Sequence, residues 1–280
     1  MRIPAVLAFA IVASIAVFAT IPDASGDPMI DGEFEYELDS DGNAVVVGYR
    51  GDSPDVSIPE TVDGHIVVSV NIDGAWDTVN KLHLSRYVQT LTASDGVAGS
   101  LQEFTVDYDN EFLAAEDGIL YSHDMKTLIA VPWGMSGMLS IASGVEAIVV
   151  NALTNLSNVD VILFPDSLTG CGFNVQGNPA LVELVMGKSM DGVGMTVERG
   201  SIVTLVFSGK PFDINGLEID YDPDKEYGDQ TYFILSEDGV FVELTGVNPA
   251  LRYPQVITAV FAVFIIVMIA ICFLAFRRDR

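Results

Sequence analysis

The sequence predicts a mainly β protein: a solenoid of short parallel strands with irregular return segments, closed by β-hairpin caps and followed by one C-terminal transmembrane helix. Three observations predict it. A short frame of apolar residues, spaced as alternate strand positions, recurs through the middle of the 280-residue chain. Hairpin signals stand on either side of that region. Residues 256–276 form an uncharged run of 21 residues, closed by Arg277, Arg278 and Arg280.

The elements follow in chain order. Ile3 to Ile21 is a run of 19 uncharged, mostly apolar residues behind Arg2, with small residues between Ala19 and Gly26. That is the order of a secretory signal, so residues 1–26 are read as a signal peptide, either removed after export or retained as an anchor. Residues 27–54 are read as an N-terminal β cap, with Phe34, Tyr36 and Leu38 alternating before a turn at Asp41-Gly42-Asn43. Repeats occupy 55–212. An acidic loop and a second hairpin fill 213–253, where Tyr232 to Leu235 and Val240 to Leu244 flank Ser236-Glu237-Asp238-Gly239. Residues 254–276 are the membrane helix. Its 21-residue uncharged run would measure about 31 Å at about 1.5 Å per residue, the thickness of a hydrocarbon core. The arginines behind it place the tail 277–280 in the cytoplasm and everything before the run outside.

The repeat frame is Leu-x-x-Leu-x-Leu with apolar substitutes. It reads Val79/Leu82/Leu84, Leu101/Phe104/Val106, Leu156/Val159/Val161, Leu181/Leu184/Met186 and Ile202/Leu205/Phe207, with weaker copies at Val56/Ile58 and Leu139/Ile141. The middle slots are spaced by 26, 22, 35, 20, 25 and 21 residues. All but the third step fall in the window of about 20–29 residues that marks leucine-rich repeats. One copy cannot bury its own apolar row, so neighbours must stack into a continuous core.

Further residues carry a resemblance. Ser57-Ile58-Pro59, Gly74-Ala75-Trp76, Asp117-Gly118-Ile119-Leu120-Tyr121, Lys126-Thr127-Leu128-Ile129 with Val131-Pro132, Ala152-Leu153 and Leu163-Phe164-Pro165-Asp166-Ser167-Leu168 resemble the BspA-type leucine-rich repeat proteins of bacterial, archaeal and protist surfaces. The resemblance covers about residues 33–190. It implies a surface-exposed, membrane-anchored repeat protein in which the 117–132 stretch is an insert, which accounts for the 35-residue step. Ala-Trp at 75–76 and Ala-Leu at 152–153 stand where that family usually has Ala-Phe.

Composition narrows the function. Acids outnumber bases 39 to 13, for a net charge of −26, and no basic cluster exists to neutralise phosphates. Nucleic acid is excluded as a partner. Asp220, Asp222, Asp224 and Glu226 alternate like a calcium loop, but Lys225 and Thr231 occupy its glycine and bidentate-acid positions. No cofactor is expected, and at most weak Ca2+ binding. His65, His83 and His123 lack zinc spacing, and no nucleophile elbow, phosphate loop or dinucleotide fingerprint appears, so no catalysis is expected. Cys272 lies in the membrane run, leaving Cys171 without a partner outside it. Asn155-Leu156-Ser157 is a glycosylation sequon.

Side chains alternate along a strand, so the residue between the last two apolar positions of each frame should face outward. That row is Ser57, His83, Thr105, Ser140, Asp160, Val185 and Val206. Its polar part, Ser57 to Asp160, is the candidate binding face for an extracellular protein or glycan. Its apolar end is expected to pack under the second hairpin. The functional expectation is an adhesin-like surface protein. The alternative is an acidic cell-envelope spacer without a specific ligand.

Overall fold

The computed structural model describes residues 28–72, 76, 78–93, 99–170, 172–198 and 202–245. The signal peptide, the membrane helix, the cytoplasmic tail, Cys171 and the Gly74-Ala75 pair lie outside the described residues. Every regular element among the described residues is a strand, and no helix among them is long and apolar enough to cross a membrane.

The chain opens with an antiparallel meander of β1 (Met29–Asp31), β2 (Phe34–Leu38) and β3 (Ala44–Tyr49). Asp39 holds the β2–β3 turn at the predicted place: its carboxylate accepts from the backbone N–H of Asp41 at 2.9 Å and of Asn43 at 2.8 Å. From there the chain winds into coils. β4 (Asp55–Ser57), β6 (His65–Ile72), β7 (Lys81–Leu84), β8 (Thr90–Ala93) and β9 (Glu103–Val106) build two parallel walls, and β5 (Thr61–Val62) pairs antiparallel with β6. One is β4–β7–β9, with Val56, Leu82 and Phe104 in register as the frame predicts. The other is β3–β6–β8, so the return segments here are ordered strands and the cap is continuous with the coil behind it.

Next comes the insert: β10 (Leu113–Glu116), β11 (Ile119–Ser122) and β12 (Thr127–Ala130), an antiparallel meander. It separates two hydrophobic cores. Leu120 and Ala130 join Trp76, Leu82, Leu84 and Phe104 on one side. Ile119, Tyr121 and Leu128 join Leu139, Ile162, Leu184 and Leu205 on the other. The two-residue period of a strand therefore sends neighbouring side chains of β11 into different cores.

The second set of coils has β13 (Ser136–Ser140), β14 (Ala147–Ile148), β15 (Asn158–Leu163), β16 (Phe173–Val175), β17 (Glu183–Met186), β18 (Met195–Val197) and β19 (Thr204–Phe207). β13–β15–β17–β19 is a continuous parallel sheet, and β16–β18 is a short parallel return wall. β20 (Ile219–Asp220), β21 (Thr231–Leu235) and β22 (Phe241–Glu243) end the described chain.

Two expectations are corrected. The fifth frame is shifted: Leu139, Ile162, Leu184 and Leu205 are in register, so the frame is Val159/Ile162/Phe164 rather than Leu156/Val159/Val161. Apolar residues at 156, 159 and 162 satisfy the pattern in either phase. The strand passes a bulge that skips Asp160 between the pairs Gly137–Val159 and Met138–Val161. Asp160 thus leaves the outward row and Leu163 takes its place. The second hairpin also does not lie over the apolar end of that row. β21 pairs antiparallel with β19 and extends the sheet at its edge, with Tyr232 beside Val206. That edge pairing closes a strand that would otherwise offer free N–H and C=O groups.

Two buried asparagines tie successive turns together, and the sequence reading missed both. Asn110 is 1% exposed; its amide donates to the Ser85 and Val88 carbonyls at 2.9 Å each and accepts from the Phe112 and Leu113 N–H at 2.8 Å each. Asn178 accepts from the Leu156 N–H and donates to the Leu153 carbonyl, both at 2.7 Å. Their shared signal is an asparagine three residues before a buried leucine, Leu113 or Leu181.

Candidate functional site

Of the predicted row, the parallel ladder β4–β7–β9 brings Ser57, His83 and Thr105 side by side on the face opposite the core. Ser57 is exposed, while His83 and Thr105 are half-buried. Ser140 is exposed on the second sheet, in register with Leu163. No strand pairing joins it to Thr105, because the insert stands between the two sheets. Asp160 is exposed at the bulge.

His83 is the centre of a short polar chain. Its Nε2 lies 3.0 Å from Asp107 Oδ1 and its Nδ1 lies 2.9 Å from Thr105 Oγ1. A carboxylate only accepts, so in the neutral ring Nε2–H donates to Asp107 and Nδ1 accepts the Thr105 hydroxyl proton. Asp107 is itself fixed by the Arg86 N–H, which donates to Oδ2 at 3.0 Å. The order hydroxyl, imidazole, carboxylate is that of a catalytic relay. Yet the amides around Thr105 are engaged, Phe104 N–H with the Gly118 carbonyl and Asp107 N–H with that of Leu84. The group is a polar cluster that spans two coils on the outward face.

Beside it lies an open cleft of about 610 Å³ between β9 and the β10–β11 turn, lined by Lys81, Glu103, Thr105, Val106, Asp117 and Gly118 among others. Lys81 Nζ sits 2.7 Å from Glu103 Oε2. That hydrogen bond, with the carboxylate's charge, holds the Lys81 ammonium above its ordinary pKa. At the other end of the sheet Arg86 reaches Glu60 at 2.9 Å and Asp109 at 3.5 Å. Its pKa is also raised, chiefly by the hydrogen bond to Glu60. These pairs are solvent-exposed and order side chains more than they stabilise the fold.

Strand alternation gives the outward placement of Ser57, His83 and Thr105 but not their neighbours Asp107 and Arg86. Both lie in turns after the strands, where nothing local marks them. Asn155 is half-buried with φ of 61°, and its side chain lies against Gly177. The acids of 220–226 include one local turn, Asp224 N–H to Asp222 Oδ1 at 2.9 Å. Among the described residues no group of three or more metal-ligating side chains comes together.

No family model matches the sequence, and no curated protein matches it. Among solved structures, the chain is similar to a leucine-rich repeat protein of T. pallidum, at 14% identity over 68% of this chain and 82% of that one, with a TM-score of 0.40. A leucine-rich cell surface protein of Faecalibacterium prausnitzii matches at 14% identity over 64% of this chain and 86% of that one, with a TM-score of 0.29. A leucine-rich repeat protein from Eubacterium ventriosum matches at 12% identity over 69% and 77%, with a TM-score of 0.33. These likenesses are distant. The solenoid is read from this chain's own strand ladders.

Proposed function

We propose that the protein is a non-catalytic, BspA-like interaction protein displayed at the cell surface, held by the helix 254–276 with its repeats outside. Its contact face for an extracellular protein or glycan is the outer side of β4–β7–β9. The observation that supports this is the Thr105–His83–Asp107 chain beside the open cleft. That chain fixes a hydroxyl, an imidazole and a carboxylate together on the outward face, where a ligand can meet them.

Residues 28–245 contain both cores and suit a soluble binding assay. Screened against extracellular proteins and glycans, this fragment should show saturable binding that Thr105→Arg abolishes. Binding that survives Thr105→Arg would remove the site from this face. Absence of any saturable binding would favour the acidic spacer, the reading that the net charge of −26 supports. On intact cells, added protease should digest the repeats and spare a C-terminal tag; digestion of the tag alone would reverse the topology.

A further inference from the structure

The turns that follow β4, β7 and β9 stack into a stapled platform. The Ser85 hydroxyl donates to the Pro59 carbonyl at 3.2 Å, Arg86 spans from Glu60 to Asp109, and the Asn110 amide holds the Ser85 and Val88 carbonyls. This locked backbone presents aromatic rings outward. Tyr108 is 97% exposed, Phe112 44% and Tyr87 38%. The backbone beneath Tyr108 is held, so only the two side-chain torsions remain to be ordered on binding, and the whole ring is open to a partner.

Acids predominate in the turns that carry the rings: Glu60, Asp107, Asp109 and Glu111 stand against the guanidinium of Arg86, which pairs with Glu60 and Asp109. That guanidinium already lies over the Tyr87 ring, 4.9 Å from its centroid. One ring of the platform is thus occupied by a cation of the chain's own, while Tyr108 and Phe112 offer open faces beside carboxylates.

We propose that this platform docks a lysine- or arginine-rich segment of a partner protein, with a cationic head over Tyr108 and neighbouring cations against Asp109 and Glu111. The proposal rests on the reading of the protein as an interaction protein and names its partner's chemistry. Charge complementarity selects a basic segment: four carboxylates stand against one guanidinium, and the negative excess left on these turns opposes an anionic segment.

The test uses the full-length protein in detergent at physiological salt, with a short fluorescent peptide of alternating arginine and glycine as the probe. Tyr108→Ala should weaken binding about tenfold, and Tyr108→Phe should stay within about twofold of the parent, since either ring offers a π face. Asp109→Asn with Glu111→Gln should weaken it comparably. A control carrying Asp222→Asn and Asp224→Asn removes as much charge elsewhere and should change nothing. Unchanged affinity in Tyr108→Ala, or an equal loss in the control, would overturn the proposal and leave only diffuse attraction to an acidic surface. A neutral oligosaccharide that binds the platform more tightly than the peptide would overturn it too. If a natural partner is lost with Thr105→Arg but kept with Tyr108→Ala, the platform assignment fails while the interaction reading stands.

Discussion

Replacing Asn110 by leucine tests how the coils are fastened. The side chain is 1% exposed and makes four hydrogen bonds, to two carbonyls and two backbone N–H groups. Leucine has similar bulk and satisfies none of them. The Phe112 N–H lies nearer solvent and can be met by water; the other three groups are enclosed. At about 1 kcal/mol or more for each buried polar group left without a partner, the loss is about 3 kcal/mol. With a urea slope of about 2 kcal/mol/M, that moves the unfolding midpoint down by about 1.5 M. The chain's two tryptophans, Trp76 and Trp133, both sit in the first core. Tryptophan emission therefore reports the half that contains Asn110, and the shift should appear there. Asn178→Leu acts on the second core and should move the far-UV circular dichroism transition more than the emission transition. An Asn110→Leu midpoint within about 0.2 M of the parent would refute the reasoning, because a shift that small corresponds to less than about 0.5 kcal/mol.

Thr105→Arg and Ser140→Arg should leave the unfolding midpoint nearly unchanged, whereas Leu84→Asp puts a charge at a position 0% exposed and should prevent folding; equal effects from all three would refute the assignment of faces. Gly187→Ala would drive a methyl group into the Pro165 carbonyl oxygen and should cost about 1–3 kcal/mol, read as a lowered urea midpoint; an unchanged midpoint would refute that close approach. The Asp124 carboxyl is held below its usual pKa, first by the Ser122 hydroxyl and then by the Lys126 N–H. Its contribution is present above the unfolded value of about 3.9 and is lost as pH falls through the lower folded value. Asp124→Asn should therefore flatten the acid limb of a midpoint-against-pH curve, and an identical limb in the variant would count against this.

The coils and both hairpins were legible because they are written in local periodicity, whereas the insert was legible only through the resemblance carried by residues 117–132. Ser57, His83 and Thr105 followed from alternation within single strands. The phase of β15 was not legible, since Leu156, Val159 and Ile162 allow two frames three residues apart and only pairing with Leu139 and Leu184 decides between them. The pairing of β3 with β6 and β8 was hidden for a similar reason: each segment shows that it is a strand, not which distant strand it meets. Asp107 and Arg86 gain their roles only when turns about twenty residues apart stack, a distance set by the repeat length.

The insert has a consequence for how such a chain can change. Ile119 and Tyr121 belong to one core and Leu120, between them, to the other. A single residue added or lost within β11 would exchange these assignments, turning both cores inside out at once. Coils on either side meet no such constraint, since each depends on its neighbours alone. Whole repeats can therefore be gained or lost at a distance from the insert, while the insert itself is fixed in length: the solenoid lengthens or shortens about a partition that cannot drift.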